Sequence, residues 1–254
     1  MHKHKIHPYG WQKDKLDLRD KVMRYSTSTM EGLPSKIDLR QHCSPVENQA
    51  TLGSCTANAT MGALEYLEIK DGVAASSFVN YSRLFVYYNT RVAMGTVDKD
   101  SGGFIREAVK AVADFGTCDE LKWEYDITKF TTKPSDECYI DAATHKIVEF
   151  QRLDTLPDML KCLADGFPII FGFTVYNEFE GPTVASTGVL NLPSPTEYAV
   201  GGHAVLAIGY DMEAKTVLVR NSWGHTWGQD GYFTMPFSYI GNPAFAADHW
   251  TIRR

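Results

Sequence analysis

QATLGSCTANA, residues 49–59, sets a polar side chain, a glycine turn and a cysteine immediately before an apolar helical pattern. From Ala57 the apolar positions Met61, Leu64 and Leu67 recur at helical spacing, and the run stops at Lys70, Asp71 and Gly72, a cation followed by a glycine. The spacing predicts a helix with Cys55 in its first turn, delivered there by Gly53 and Ser54. Unpaired backbone N–H groups and the positive end of the helix dipole favour an anion at that place, so the thiol is expected to lose its proton more readily than a free one. A single cysteine so placed is more often a small buried core residue. Only a base supplied from elsewhere in the chain would give it chemistry.

The chain has 254 residues, 44% of them hydrophobic and 12% aromatic, with a formal net charge of −6. That is enough apolar material for one large domain or two lobes. The mildly acidic balance gives no electrostatic footprint for nucleic acid or an anionic membrane, and the only basic block is the short HKHK at 2–5. No apolar run approaches the roughly 18 residues of a membrane span. Residues 1–32 are polar and lack the apolar stretch of a secretory signal, so we expect either an intracellular chain or one from which a signal has been removed. The compartment stays open. Five cysteines, Cys43, Cys55, Cys118, Cys138 and Cys162, show no CxxC spacing, so neither zinc nor any other metal or cofactor is expected. With Cys55 reactive, an even four remain, and one or two disulfides among them stay open.

Residues 1–32 carry lysines and aspartates around a few anchors, Tyr9, Trp11, Leu16, Leu18 and Val22, before a break at Gly32 and Pro34. Extended, such a segment could span on the order of 100 Å, enough to cross the face of the domain. A disordered tail and a docked segment are both open readings, and the aromatic content argues for docking. SSFVNYSRLFVYYNTR (76–91) reads as a buried helix or aromatic core segment. Asp100, Ser101, Gly102 and Gly103 form a loop before a helical stretch from Phe104 to Phe115 that Gly116 stops. From about Ala142 β-branched residues and alternation take over, with a short helix expected over Pro157–Asp165 and a strand over 168–175.

HAVLAIGY (203–210) and TVLVR (216–220) are strand-like runs separated by DMEAK, which predicts an antiparallel hairpin. Folding it near Met212 or Glu213 sets His203 opposite Asn221 or Trp223, within about two residues of register. An imidazole oriented by an amide can act as base for a thiol and then stabilise the thiolate. This is the partner that Cys55 lacked.

With those residues in hand, the chain from about Leu33 to its C-terminus resembles the papain-like cysteine peptidases. The motifs that carry the resemblance are LPSKIDLR (33–40), PVENQATLGSC (45–55), Gly102-Gly103, GGHAVLAIGY (201–210) and RNSWGHTWGQDGYF (220–233). It implies an α+β, two-lobed papain-like fold, with a helical left lobe (about 33–141), a β-rich, barrel-like right lobe (about 142–254) and the cleft between them. It also implies Cys55 as nucleophile, His203 as general base and acid, Asn221 as the orienting residue and Gln49 as an oxyanion donor. Gly102 and Gly103 would pair with the substrate backbone, Phe104 and Ile105 would line the main specificity pocket, and Gly202, Trp223 and Trp227 would complete the binding walls. The expected activity is hydrolysis of peptide bonds in a protein or peptide substrate, with an apolar or aromatic side chain two residues before the cut.

Three departures stand out. Leu52 replaces a disulfide cysteine of the family, Thr56 replaces the tryptophan after the nucleophile, and a short leader whose YGW and LDLRD resemble bacterial-type relatives replaces the long inhibitory pro-segment. Residues 1–32 are therefore expected to act as an intramolecular inhibitor, and 33–254 as the catalytic domain. Two other readings use the same residues: acyl transfer to an amine instead of water, and an idle peptide-binding homologue.

Overall fold

The structure, a computed structural model, describes residues 9–26, 29–73, 78 and 80–254. The HKHK block and Ser76, Ser77 and Val79 of the aromatic segment lie outside the described residues. The strands are β1 (Trp11–Gln12), β2 (Lys36–Asp38), β3 (Gly103–Phe104), β4 (Glu149–Arg152), β5 (Ile169–Tyr176), β6 (Ala199–Asp211), β7 (Thr216–Arg220), β8 (Tyr232–Pro236) and β9 (Ala246–Arg253). The helices are α1 (Cys55–Lys70), α2 (Arg83–Met94), α3 (Ile105–Asp114), α4 (Asp136–Ala142), α5 (Leu156–Ala164), α6 (Pro182–Thr187) and α7 (Phe237–Ile240). None is long and apolar enough to cross a membrane.

The expected helix at Cys55 forms with the predicted ends. Its burial differs from the simple apolar stripe: Cys55 through Glu68 are all buried, polar Thr56, Asn58, Thr60, Glu65 and Glu68 included. A helix buried all round must satisfy those polar groups internally. Thr60 donates to the Thr56 carbonyl, and Glu65 accepts from Ser44 and from the Tyr81 N–H. Local signals set the other helices. Ser82 caps α2, accepting from the Phe85 N–H at 3.1 Å, and Gly95 ends it in the left-handed region at φ 68°. Thr155 caps α5. Phe104 belongs to β3, one residue before the helix expected to include it.

Seven strands form one sheet in the order β4-β9-β5-β6-β7-β8, with β2 paired to β6, and the sheet does not close into a barrel. The hairpin β6–β7 is antiparallel, with Asp211 opposite Thr216 and an irregularity between Ala207 and Gly209. Asp211 accepts the N–H groups of Glu213 and Ala214, and this fixes the turn where it was expected. Helix α1 packs against β6, joining the helical part to the sheet. Arg220 at the end of β7 reaches across to donate to the carbonyls of Ser44 and Pro45, both at 2.6 Å. All five cysteines are free, so no disulfide stands behind this arrangement.

Candidate active site

Cys55 opens α1 and His203 sits in β6, both fully buried. The N–H of Ala204, the residue after the histidine, donates to Cys55 Sγ at 3.4 Å, so the thiol lies at the base of the imidazole. His203 Nε2 lies 2.7 Å from Asn221 Oδ1, which also accepts the Ser222 N–H at 2.8 Å. An amide oxygen only accepts, so Nε2 carries the proton and Nδ1 is the basic nitrogen of the neutral ring. Trp223 stacks on the imidazole at 5.0 Å, and Trp227 meets Trp223 edge-on at 5.2 Å, one ring further from the histidine.

Gln49 is buried at the end of the preceding loop. Its amide donates to the Leu52 carbonyl at 3.0 Å while Ser222 donates to its Oε1 at 2.6 Å. The chain is thereby tied between Gln49 and the Asn221–Ser222 corner, and the Gln49 N–H donates to the Ser222 carbonyl at 2.9 Å.

The missing disulfide at Leu52 is answered by a polar clamp. Asp100 accepts the Gly53 N–H through both oxygens at 3.1 Å and bonds the Tyr87 hydroxyl, which accepts the Gly102 N–H at 3.1 Å. One carboxylate thus holds the Cys55 loop to the Gly102–Gly103 loop. Tyr125 bonds Ser54 and donates to the Gln49 carbonyl at 3.0 Å. Leu52 itself is buried, and Thr56 faces Gly103, where a Cβ would come within 3.0 Å of Thr56 Oγ1. Asp100, Tyr87, Tyr125 and Ser222 were not legible beforehand, because each acts through partners far away in sequence.

The leader lies in the cleft. Its Gly10 carbonyl accepts the Gly103 N–H at 2.7 Å, and β1 runs parallel to β3 with Trp11 opposite Gly103 and Gln12 opposite Phe104. Tyr9 stands edge-on to His203 at 6.2 Å and bonds Glu180. Side chains would block this seat at several glycines: a Cβ at Gly10 would overlap the Gly53 carbonyl, one at Gly102 the Gly10 carbonyl, and one at Gly202 the Trp11 ring. Further on, Arg106 grips Asp20 at 2.6 Å, the Met23 N–H donates to the Arg152 carbonyl at 2.8 Å, and the Tyr25 N–H donates to Asp158 at 3.1 Å. Of the expected pocket residues, Phe104 is half-buried beside the leader and Ile105 is fully buried at the start of α3.

Burial pushes the Cys55 thiol up to about 11, while the N–H groups of Ala204, Gly10, Thr56 and Cys55 pull it down. The N–H groups at the helix start do favour the thiolate, but burial outweighs them, so the thiol holds its proton more firmly than a free one, opposite to the expectation from the helix start alone.

The profile described as papain family cysteine protease matches residues 33–242. The chain belongs to the papain family of cysteine proteases. This papain-family chain is 39% identical, over 96% of its length and 86% of the relative's, to an uncharacterised peptidase C1-like protein of Acanthamoeba polyphaga mimivirus. Among solved structures it is similar to xylellain, a cysteine protease from Xylella fastidiosa, with a TM-score of 0.88 and 38% identity over 100% of this chain and 98% of that one. A digestive procathepsin L2 proteinase of Tenebrio molitor is more distant, with a TM-score of 0.68 and 26% identity over 91% of this chain and 69% of that one. The papain-family chain is thus a cysteine peptidase with the papain-like fold.

Proposed function

We propose that Cys55 attacks the substrate carbonyl as a thiolate paired with the His203 imidazolium, forming an acyl-enzyme. The Cys55 N–H and the Gln49 amide donate to the developing oxyanion. His203 then protonates the leaving amine and later activates the water that releases the acyl group. The observation that carries this reading is the Ala204 N–H bond to Cys55 Sγ beside an imidazole whose Nε2 proton is held by Asn221. Trp223, stacked on the ring, keeps water from that bond.

Residues 33–254 form the catalytic part in this reading, and residues 1–32 its built-in inhibitor. The substrate pairs with Gly102 and Gly103, and its side chain two residues before the cut, apolar or aromatic, enters a pocket that Phe104, Ile105 and Gly202 border. A substrate runs from Gly103 past Cys55 towards Trp223 and Trp227. The leader runs the other way, with Tyr9 near Trp223, Gly10 at the thiol and Trp11 at Gly103, which protects it from being cut in place.

The test is covalent titration with an epoxide-type thiol inhibitor, with a fluorogenic dipeptide read alongside. The intact chain should label slowly at Cys55. A chain folded intact and then cut at a recognition sequence inserted after the exposed Gly32 should label at least tenfold faster and hydrolyse the peptide. Equal labelling before and after the cut would sink the leader's role, and labelling at another cysteine would sink the assignment of the nucleophile.

Leader docking should also respond to pH. Burial, then the neighbouring Asp248 carboxylate, pushes Asp14 up to about 6 from its ordinary 3.8, with hydrogen bonds from Trp250 and Arg106 pulling down. A carboxyl raised in the docked state takes up a proton on docking. Its contribution is fully present below about 3.8 and is lost as the pH rises through about 6. After the cut, more leader should co-elute with the catalytic part at pH 4.5 than at pH 7, and Asp14→Asn should flatten the difference. Release on acidification would contradict this sign.

A further inference from the structure

Resting on the peptidase reading above, we propose that the pocket opposite Gly103 selects a tryptophan side chain, recognised through its ring N–H by Asp248. The leader supplies the internal example. Trp11 is the leader residue paired with Gly103, and its indole lies where Gly172 and Gly202 lack side chains; a Cβ at Gly172 would sit inside the ring. Its Nε1 donates to Asp248 Oδ2 at 3.1 Å.

Asp248 is not placed there by regular sheet geometry. Between Ile170–Trp250 and Gly172–Ala247 the β5–β9 register slips, so one residue of β5, Phe171, faces two of β9, Asp248 and His249. Asp248 lies in that bulge at φ 57°, a left-handed conformation that few residues other than glycine adopt. Bulges of this kind re-aim side chains and gather beside functional sites, as do strained backbones held by their surroundings. The result is a buried carboxylate whose Oδ2 accepts the Trp11 ring N–H and, at 2.7 Å, the Asp14 N–H.

Charge selects between donors. Asp248 already faces Arg152, with N···O at 3.7 Å to Oδ1. Asp14 and Asp20, which also face Arg152 in the intact chain, leave with the leader. Arg152 then keeps Asp248 as its partner with its leader carboxylates gone, so a second cation from substrate lysine or arginine is repelled while a neutral indole is not. Phenylalanine and leucine fill part of the slot and leave Asp248 Oδ2 without the donor that the indole supplies, a mismatch that a site built for a hydrogen bond rejects.

The experiment uses the cut full-length chain and fluorogenic dipeptides carrying Trp, Phe, Leu or Arg two residues before the cut. Trp should exceed Phe, Leu and Arg in kcat/KM by about tenfold. Asp248→Asn, which keeps an oxygen acceptor and tolerates the left-handed backbone, should retain the Trp preference. Asp248→Ala should bring Trp and Phe within about threefold, and Gly172→Ala should cut Trp turnover sharply with little loss for Leu. The uncut chain gives a second readout that needs no turnover. Trp11→Phe should speed Cys55 alkylation about tenfold, and less than twofold when Asp248→Ala is already present.

Leu or Arg ahead of Trp, or a Trp-to-Phe ratio unmoved by both Asp248→Ala and Gly172→Ala, overturns the proposal. Absence of turnover for every dipeptide would instead count against the peptidase mechanism, and the alkylation pair would still decide whether Asp248 reads the indole.

Discussion

Cys55→Ala will abolish peptide hydrolysis by the cut chain, a loss on the order of 10⁶ in kcat, and His203→Ala will cost about as much. In the proposed mechanism both residues act in the same step, so the double variant should lose little more than either alone. Asn221→Ala should cost less, because the imidazole keeps its place against Trp223 and Phe173 and loses only the bond that holds its Nε2 proton. Gln49→Ala removes one oxyanion donor, a change typically worth about 10²–10³ in rate. It should act on kcat with KM nearly unchanged, since the contact strengthens only as the oxyanion develops. The measurement is kcat and KM on one dipeptide across the four variants. Hydrolysis surviving Cys55→Ala would end the assignment, and a Gln49→Ala effect confined to KM would remove the oxyanion role.

Gly10→Ala will open the cleft without touching the catalytic residues. A Cβ at position 10 would overlap the backbone carbonyl of Gly53, which cannot yield because Asp100 holds the Gly53 N–H and Gln49 and Tyr125 fix the same loop. The clash must be relieved by withdrawing the leader. With Gly10 gone from the thiol its N–H donation is lost, but water reaches Sγ in its place and relieves the burial that raises Cys55 to about 11. Alkylation of Cys55 in the uncut variant should rise by on the order of 10²-fold at pH 7, approaching the cut wild-type chain, as expected when burial ceases to hold the thiol protonated. Contacts further along, Arg106 with Asp20 and the Tyr25 N–H with Asp158, should keep the remainder of the leader on the domain. Unchanged alkylation would show that Gly10 is not what closes the site.

The helix of Cys55 was legible because its start and stop are local events: a glycine turn before it and Lys70-Asp71-Gly72 after it. The hairpin was legible for a similar reason, since two β-prone runs around a short polar turn have only one economical pairing. His203 and Asn221 could therefore be brought together on paper. What could not be read locally was the sign of the Cys55 shift. The helix dipole and the N–H groups of Cys55 and Thr56 are properties of the neighbouring sequence, whereas burial and the N–H groups of Ala204 and of Gly10, some 45 residues away, come only with packing.

The brace around the nucleophile follows the same division. Leu52 and Thr56 announced that a disulfide and a tryptophan were missing, but no spacing rule names Asp100 as the substitute. Its partners, Gly53 and Tyr87, lie on separate loops and helices that meet only after packing. Asp248 is the extreme case, a carboxylate in a strand-like run whose direction depends on one slipped register against β5. Local pattern alone determined the elements, the hairpin that pairs a histidine with an asparagine, and, through family resemblance, the chemistry expected of Cys55. Tertiary structure decided the surroundings in which Cys55 is held and the place of Asp248 against Trp11, because burial, clash and charge balance are set by residues that only folding brings together.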